Sequence, residues 1–402
     1  MYIRNAVSEG NMLKLRGVYY ITHIDNLPSI LDKGILCHKR IEEEKIQFTP
    51  IYDAEIVESR KNIKMPDNKT LWDFANLYFQ PRNAMLYRVV FFSGKNIDDI
   101  IIIGVKSGIL QRSDIFVTTG NAASPHSNIL SASEAKKSIK NIREQTDKEW
   151  WASEDGSKRE LMAECLAPHK VSPEDIEEIY VATSNGLKKV KKLLGEHRIP
   201  VIPEPSIFFS PSRKIALTEN LSLVEGDMFF SRMQTLTISV NSVGVMGKGL
   251  ASRAKYQFPG VYVMYQDLCR NEVLKMGKPY LYKRETSLDY ILADESQVLS
   301  NTNLETWFLL FPTKRHWKEM SDIKGIEDGL KWLVNNYKKE GIKSLAIPAL
   351  GCGLGWLDWE RVGPLLCSYL QELDIPVNLH LPVEKKIPDD QLSEDFLLGK
   401  NL

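Results

Sequence analysis

Apolar and polar positions follow two different patterns in the two halves of this 402-residue chain. In the C-terminal half, short apolar runs rich in β-branched residues alternate with segments in which apolar residues recur at helical spacing. The strand-like runs are 235–240, 306–311, 344–347 and 377–381. The helical segments are 251–256, 326–339 and 359–373. This alternation predicts helices that cover a mixed or mostly parallel sheet.

The N-terminal half is less regular. A strand is expected at 18–21, followed by a helix with Asp25 or Asn26 as its N-cap and Gly34 at its end. Further apolar runs predict strands at 85–92, 98–103 and 179–182. Helical or helix-edge segments are expected at 133–144 and 158–166.

A helix near residue 190 combines an apolar stripe with a cluster of lysines. The stripe consists of Leu187, Val190, Leu193 and Leu194. The lysines around it are Lys188, Lys189, Lys191 and Lys192. Such a cluster is more often a solvated helix face than a nucleic-acid surface, and we favour the first interpretation.

A proline-rich segment separates the two halves. Pro203, Pro205 and Pro211 lie among polar residues, and the chain is long enough for two domains of ordinary size. We therefore expect a domain boundary at this segment. The predicted parts are a first domain at 1–205, a linker at 206–219, a second domain at 220–385 and a tail at 386–402.

Charge and cysteine content narrow the class of protein. The 52 Lys and Arg residues balance the 52 Asp and Glu residues, so only a local basic groove would indicate a nucleic-acid partner. The five cysteines show no CxxC pair, which argues against disulfides and zinc and favours a reducing cytoplasm. No apolar run approaches the roughly 20 residues of a membrane helix, and the N-terminus lacks the order of a signal peptide.

Two glycine clusters carry the first chemical information. The strings VGVMGKG (243–249) and PALGCGLG (348–355) each follow an apolar, strand-like run. Glycines just past a strand let backbone N–H groups approach a phosphate without side-chain obstruction. Either loop alone is as easily an ordinary tight turn. Together they favour a ligand with two phosphates, such as a nucleotide diphosphate sugar.

The N-terminal half contains neither a metal cluster nor a Ser-His-Asp order. It has polar side chains on a strand and turn, namely Tyr20, Thr22 and His23, and a basic residue, Arg60, in a polar segment. It also has Glu164 within a partly apolar run. A carboxylate in such a run needs compensation if it is buried. Taken alone, Glu164 is more often an exposed residue.

The C-terminal half resembles macro domains, which bind ADP-ribose. The resemblance spans about 220–383 and rests on Gly226-Asp227, VNS (240–242), GKG (247–249), FPTKRHW (311–317) and GCGLGWLDW (351–359). The segment PTKRHW makes it most similar to DarG-type macro domains, which remove ADP-ribose from DNA bases. An α/β/α macro fold is therefore expected.

The macro resemblance implies a role for each matching residue. Asp227 would bind the adenine amino group, and Asn241 would face the distal ribose. The two loops would hold the ribose and phosphates through Gly247, Gly249, Gly351, Cys352, Gly353, Leu354, Gly355 and Trp356. Lys314 would attack the anomeric carbon or assist the leaving base electrostatically, with its pKa lowered by burial near Arg315. An aspartate that assists in related hydrolases is replaced by Gly355, and Asp358 either serves instead or is structural.

The N-terminal half resembles DarT-type toxins, which transfer ADP-ribose from NAD to a base in single-stranded DNA. The matching segments are YYITHIDNL (19–27), LYFQPRNAMLY (77–87), TGNAA (119–123) and Ala163-Glu164. The resemblance implies that Glu164 is the catalytic glutamate and Arg60 the catalytic arginine. It places Tyr20, Thr22, His23 and Asn26 in the NAD pocket, with Tyr20 where the family usually has a histidine. Arg82 and Tyr87 belong either to a DNA groove or to the structural framework.

Because DarG is the antitoxin partner of DarT, the two resemblances reinforce each other. They imply a toxin–antitoxin fusion: an ADP-ribosyltransferase-like domain that uses NAD, followed by a macro domain that binds ADP-ribose and reverses the modification, with the antitoxin supplied in cis. Thymine is the favoured base and guanine the next, because related toxins divide between them. The alternative is a macro module that only reads ADP-ribose, beside an inactive or an RNA- or protein-directed transferase half.

Overall fold

The computed structural model of the chain describes residues 16–52, 57–294, 305–383 and 385–399. These residues form two compact units. The first unit contains the described residues up to Phe209 together with 289–294. The second contains 210–288 and the described residues from 305 onward.

An eight-stranded sheet forms the centre of the first unit, in the order β10-β9-β4-β1-β3-β7-β5-β6. The strands of this unit are β1 (Val18–His23), β2 (Ile35–Leu36), β3 (Phe74–Tyr78), β4 (Ile100–Val105), β5 (Phe116–Thr118), β6 (Ile129–Ser131), β7 (Glu164–Pro168), β8 (Lys170–Val171), β9 (Ile176–Val181) and β10 (Val201–Pro203). Strands β2 and β8 pair separately. All neighbours in the large sheet are antiparallel except β9 and β10.

Helices surround this sheet. They are α1 (Leu27–Lys33), α2 (His38–Glu43), α3 (Ala84–Phe92), α4 (Ala132–Thr146), α5 (Ser157–Glu160), α6 (Ser184–Leu194) and, from the later segment, α9 (Asp289–Leu292). Helix α1 confirms the sequence prediction, because Asn26 precedes it and Gly34 ends it with a positive φ of 90°. Helix α6 is confirmed as well. Its Lys188, Lys191 and Lys192 are exposed.

Two predicted elements of the first unit are wrong. Residues 85–92, expected as a strand, belong to helix α3, because the side chain of Asn83 accepts a hydrogen bond from the backbone N–H of Leu86 and caps the helix. The buried positions then recur at helical spacing. The segment 158–166 also splits: a short helix ends at Glu160, and Glu164 begins strand β7.

The second unit is built on a seven-stranded sheet in the order β11-β12-β17-β16-β13-β15-β14. Its strands are β11 (Arg213–Ala216), β12 (Leu221–Glu225), β13 (Thr235–Asn241), β14 (Tyr280–Tyr282), β15 (Trp307–Lys314), β16 (Leu345–Pro348) and β17 (Val377–His380). Its helices are α7 (Gly249–Gln257), α8 (Pro259–Arg270), α10 (Ile323–Glu340), α11 (Trp359–Leu370) and α12 (Glu394–Leu398). The predicted alternation of strands and helices is confirmed.

The five central strands of this sheet, β12, β17, β16, β13 and β15, are parallel, and both edges are antiparallel. The segments that follow β12, β13, β15 and β16 therefore emerge at one edge of the sheet. Those segments contain Asp227, the first glycine loop, Lys314 with the residues after it, and the second glycine loop. The sheet topology thus assembles the predicted macro-domain residues.

Within the described residues, no helix combines the length and the apolar character that crossing a bilayer requires.

Candidate functional site

Glu164 and Arg60 form a buried ion pair at the centre of the first unit. The Arg60 guanidinium donates from Nη2 to Oε2 of Glu164 at 2.9 Å and from Nη1 to Oε1 at 3.5 Å. The side chains are 12% and 1% exposed, respectively. Burial lowers the pKa of Arg60, but the charge and hydrogen bonds of Glu164 outweigh burial and raise it above its usual value. Arg60 therefore stays a cation.

The β5–β7 pairing holds the Glu164 carboxylate in place. Its Oε1 accepts a hydrogen bond from the backbone N–H of Ala122 at 2.9 Å. Its own backbone N–H donates to the Thr118 hydroxyl at 2.9 Å. Ala122 lies in the predicted segment 119–123, so the structure brings two of the sequence motifs into direct contact. A carboxylate that is buried, paired and hydrogen-bonded is held in a single orientation.

Tyr78 lies close enough to this pair, and Tyr20 close enough to Tyr78, for their charges to interact. Burial raises the pKa of Tyr20 to about 12, and Thr22 opposes the shift. Burial, followed by the nearby Glu164 charge, raises the pKa of Tyr78 well above its usual value. Both phenols therefore stay protonated at neutral pH and can serve as hydrogen-bond donors.

The other predicted NAD-pocket residues lie together at the end of β1. The Asn26 amide donates to the Thr22 hydroxyl at 3.0 Å and to the Thr49 carbonyl at 2.8 Å, and its oxygen accepts from the Thr49 N–H at 2.7 Å. The His23 Nδ1 accepts from the Asp25 N–H at 3.3 Å. Asn26 thus ties the segment around Thr49 to β1.

Arg82 and Tyr87, whose role the sequence left open, make contacts typical of a structural framework. Arg82 donates to the carbonyls of Ser206 and Glu149, and its guanidinium lies 4.9 Å from the Phe209 ring centroid. Tyr87 is buried, and its hydroxyl donates to Asp289 at 2.8 Å. These contacts join α3 and the residues just before it to later segments of the same unit.

In the second unit, Asp227 forms an ion pair with Arg253, a residue that belongs to none of the sequence motifs. Arg253 Nη1, on α7, lies 2.8 Å from both carboxylate oxygens of Asp227. The same carboxylate accepts from the Phe229 N–H at 3.1 Å. The Arg253 guanidinium also stacks 4.7 Å from the Phe229 ring centroid. Asp227 is thereby oriented and neutralised beside an aromatic face.

The Asn241 side chain holds the first glycine loop in place through hydrogen bonds to the loop backbone. Its amide donates to the Val245 carbonyl at 2.6 Å, and its oxygen accepts from the N–H groups of Val243 and Val245 and from the Tyr265 hydroxyl. Gly249, at the end of this loop, has a φ of 58°. A Cβ there would lie 3.1 Å from Leu354 of the second loop.

Close packing explains the glycines of the second loop. Gly351 has a φ of 82°, and a Cβ there would lie 2.7 Å from Leu357. A Cβ on Gly355 would lie 2.3 Å from the Ser321 hydroxyl and 2.5 Å from the Gly351 carbonyl oxygen. No side chain fits at these two positions without movement of the loop.

Lys314 ends β15 and reaches the second loop. Its ammonium donates to the carbonyls of Glu319 at 2.8 Å and Leu354 at 3.1 Å. The Lys314 ammonium makes these two hydrogen bonds within the described residues. An ammonium has three N–H donors, so one donor is left for a ligand. Burial lowers its pKa, and Glu319 opposes the shift. The sequence predicts that burial lowers this pKa, and burial is the main cause of the shift.

Comparisons with known proteins agree with this arrangement. A profile described as "ssDNA thymidine ADP-ribosyltransferase, DarT" matches residues 19–209, and a macro-domain profile matches 239–366. A "DNA ADP-ribosyl transferase-DNA ADP-ribosyl glycohydrolase fusion protein" of Thermosipho africanus is 61% identical over 385 residues, which are 96% of this chain and 99% of that one. The chain belongs to this family of fusion proteins.

A solved member of the family has the same fold. The structure of "Thermosipho africanus DarTG in complex with ADP-ribose" is 60% identical, covers 95% of this chain and all of that chain, and superposes with a TM-score of 0.90. A "DNA ADP-ribosyl glycohydrolase" of Thermus aquaticus is 33% identical over 165 residues, which are 41% of this chain and 42% of the relative. The predicted succession of a DarT-like unit and a macro unit is confirmed.

In this member of the fusion family, Asp358 has a structural role at the start of a helix. It precedes α11, and its carbonyl accepts hydrogen bonds from the N–H groups of Arg361 and Val362. Its carboxylate is exposed and lies 3.7 Å from the Lys385 ammonium.

Burial, followed by the Asp358 charge, raises the pKa of Cys352 to about 12, so the thiol stays neutral. Cys352 is thus a small apolar residue of the second loop.

Several residues near the two sites had no signal in the sequence. His38 stacks on Trp72 with ring centroids 4.4 Å apart and lies 3.3 Å from the Tyr52 hydroxyl. Burial, followed by the Arg60 charge, lowers the pKa of His38 to about 4. Ser321 is buried against the second loop, and its hydroxyl has no hydrogen-bond partner within the described residues. Only the tertiary structure brings these side chains to the sites.

Among the residues that the structure describes, no group of His, Cys, Asp and Glu side chains is arranged to hold a metal ion.

Proposed function

We propose that this chain is a cytoplasmic toxin–antitoxin fusion. Residues 1–205 transfer ADP-ribose from NAD to a thymine base in single-stranded DNA, and residues 220–385 bind ADP-ribose and hydrolyse it from the base. The observation that carries the proposal is the buried Arg60–Glu164 pair beside the protonated phenol of Tyr78, in a unit similar to ADP-ribosyltransferases that act on single-stranded DNA. The second unit supplies the opposing activity in cis.

Glu164 is the catalytic residue of the transfer step. The bond between the nicotinamide nitrogen and the ribose anomeric carbon breaks, a bond from that carbon to a base nitrogen forms, and the base nitrogen loses a proton. Positive charge develops on the ribose in the transition state. A fixed carboxylate beside it lowers the barrier because it needs no reorganisation.

Arg60 assists as a cation. A guanidinium whose pKa is raised above its usual value does not accept a proton. Its contribution is to orient Glu164 and to stabilise the negative charge of a deprotonating base. Tyr20, Thr22, His23 and Asn26 complete the NAD pocket. Tyr20 is a phenol donor where the family usually has an imidazole.

The macro unit holds ADP-ribose along one sheet edge. Asp227 binds adenine, with Arg253 fixing its carboxylate. Asn241 holds the first loop in shape for the distal ribose, and Gly247 and Gly249 let that loop approach it. The second loop surrounds the diphosphate with Gly351, Cys352, Gly353, Leu354, Gly355 and Trp356. Backbone N–H groups supply most of the contacts to the anion.

Lys314 carries the hydrolysis by one of two roles. As a neutral amine it attacks the anomeric carbon, the base leaves with a proton, and water then releases ADP-ribose. As an ammonium it stabilises the departing base. Burial, which lowers its pKa, favours the first role. Lys314→Arg separates the two, because arginine keeps the charge and is no nucleophile.

The direct test is incubation with NAD and a pool of DNA and RNA oligonucleotides, followed by mass spectrometry. The intact chain and a Lys314→Ala variant are compared. We expect ADP-ribosylated DNA to accumulate with the variant and to be lost again with the intact chain. Modification of RNA or protein alone would favour the alternative target. Absence of any product, together with intact ADP-ribose binding, would favour a macro module that only reads ADP-ribose.

A further inference from the structure

Trp356 is exposed to an unusual degree for a tryptophan in a ligand-holding loop. Its side chain is 66% exposed, and its φ of 60° lies in the left-handed region that favours glycine. The loop imposes this conformation: the Trp356 N–H donates to the Gly353 carbonyl at 3.1 Å, and the Leu357 N–H donates to the Gly351 carbonyl at 2.9 Å. A large ring is thus presented to solvent at a disfavoured backbone position.

The ring stands next to the reactive lysine. The Lys314 ammonium lies 5.8 Å from the Trp356 ring centroid, and it donates a hydrogen bond to the carbonyl of Leu354, two residues earlier in the same loop. Lys314 must reach the anomeric carbon of the distal ribose, and the modified base is bonded to that carbon. The base therefore has to lie within one bond of the atom that Lys314 approaches.

The segment after Lys314 has the same aromatic and basic character. Trp317 is 51% exposed, and the Lys318 ammonium lies 5.0 Å from its ring centroid. The Glu319 carbonyl, which accepts from Lys314, folds this segment back toward the lysine. Exposed aromatic rings interleaved with cations are typical of surfaces that stack the bases and hold the backbone of single-stranded nucleic acid.

We propose that the Trp356 ring is the stacking platform for the nucleobase that carries ADP-ribose. The platform positions the leaving base over Lys314 and lets the hydrolase prefer a nucleotide-linked ADP-ribose over the free sugar nucleotide. This role adds to the predicted place of Trp356 in the ADP-ribose loop. It rests on the proposed hydrolase function.

The ring, rather than the loop conformation, is the feature to be tested. Trp356→Ala removes the ring at an unfavourable φ, and Trp356→Gly removes it at a φ that glycine adopts readily. Trp356→Phe keeps an aromatic face. The matched control is Tyr256→Ala, which removes another exposed aromatic ring of the same unit, near the end of α7.

The experiment measures steady-state hydrolysis of an ADP-ribosylated single-stranded oligonucleotide by the full chain carrying Glu164→Gln, which prevents re-modification. Calorimetry with free ADP-ribose is run on the same proteins. Loss of one stacked base corresponds to an increase in KM of about 5- to 150-fold. We expect this increase for the Ala and Gly variants, with a smaller change in kcat and a loss of free ADP-ribose affinity that is clearly smaller than the increase in KM. The Phe variant and the Tyr256 control should keep a near-normal KM.

Two results would overturn the platform. One is a loss of free ADP-ribose affinity in the Ala and Gly variants as large as their increase in KM, which would mean that the ring contacts ADP-ribose and not the base. The other is an unchanged KM in both, which would leave the exposed ring to a different partner. A parent chain that binds ADP-ribose and hydrolyses no modified oligonucleotide would instead overturn the proposed hydrolase function, and the platform with it.

Discussion

Arg60 and Glu164, 104 residues apart in the sequence, form a two-point ion pair from which solvent is almost excluded. Taking two charges out of water is costly, and their attraction returns that cost only with good geometry and further hydrogen bonds. Ala122 provides one such bond. The arrangement holds a carboxylate in one orientation inside a protein, which is the condition for stabilising a cationic transition state.

Glu164→Gln should abolish DNA modification. Glutamine keeps the shape and can still accept from the Ala122 N–H, but it lacks the negative charge. We expect a loss of transfer of about 100-fold or more. The measurement is NAD-dependent labelling of oligonucleotides by the full chain in a Lys314→Ala background. The single Lys314→Ala variant is the control, and labelling at its rate by the double variant would contradict the assignment.

Arg60→Met should destabilise the first unit more than Arg60→Met combined with Glu164→Gln. The single change leaves a buried carboxylate without its partner, at a cost of about 3–5 kcal/mol, whereas the double change removes both charges. Urea unfolding of the full chain, followed by tryptophan fluorescence, measures the shift in the affected transition. Equal or additive losses would mean that the two side chains are not coupled.

Lys314→Ala should make the full-length protein more toxic to its host than the wild type. Both activities are made in equal amounts in a fusion, so net DNA modification depends on the ratio of transfer to removal. The measure is growth after induction, and the combination with Glu164→Ala should be harmless. If the Lys314→Ala variant grows like wild type, hydrolysis of a pre-modified oligonucleotide decides whether Lys314 is dispensable.

Gly355→Ala should weaken ADP-ribose binding sharply. The added Cβ would meet the Ser321 hydroxyl and the Gly351 carbonyl, both nearer than non-bonded atoms allow, so the second loop must move. Calorimetry on the full chain should give a loss of about tenfold or more, in line with a cost of at least ~1.4 kcal/mol. Gly260→Ala is the matched control, because its Cβ would lie 3.9 Å from the nearest atom, the Tyr282 hydroxyl.

His380 should make the macro unit sensitive to acid. Burial lowers its pKa to about 4, while the hydrogen bond with the Gly226 carbonyl opposes the shift. The unfolded chain, with a pKa near ~6.5, binds the proton first, so stability is full above pH ~6.5 and falls as the pH drops toward 4. The resulting loss in the free energy of unfolding is at most roughly 3 kcal/mol.

The corresponding measurement is hydrogen exchange in peptides that contain β17, at pH 7 and pH 5. After correction for intrinsic exchange rates, the wild type should lose protection between the two values, and His380→Asn, which has no titrating group, should lose less. Equal losses in both proteins would assign the acid sensitivity to other groups.

The sequence by itself determined the order of the two units and most elements of the second. Parallel strands that are buried on both faces appear in the sequence as apolar runs. Glycines are required where a loop must turn or pack closely, so both features can be recognised from neighbouring residues. The motifs around Glu164 and Lys314 were local as well. Such features depend on a few neighbouring residues, so they can be predicted from the amino-acid sequence.

Only the tertiary structure decided which distant side chains meet. The run 85–92 is apolar enough for a strand, and the Asn83 cap together with packing on one face makes it a helix. The pairing of Arg253 with Asp227, the stacking of His38 on Trp72 and the placement of Trp356 beside Lys314 each join segments that have no spacing rule between them. Burial lowers the pKa of both His38 and Lys314, and burial is a property of the folded chain alone.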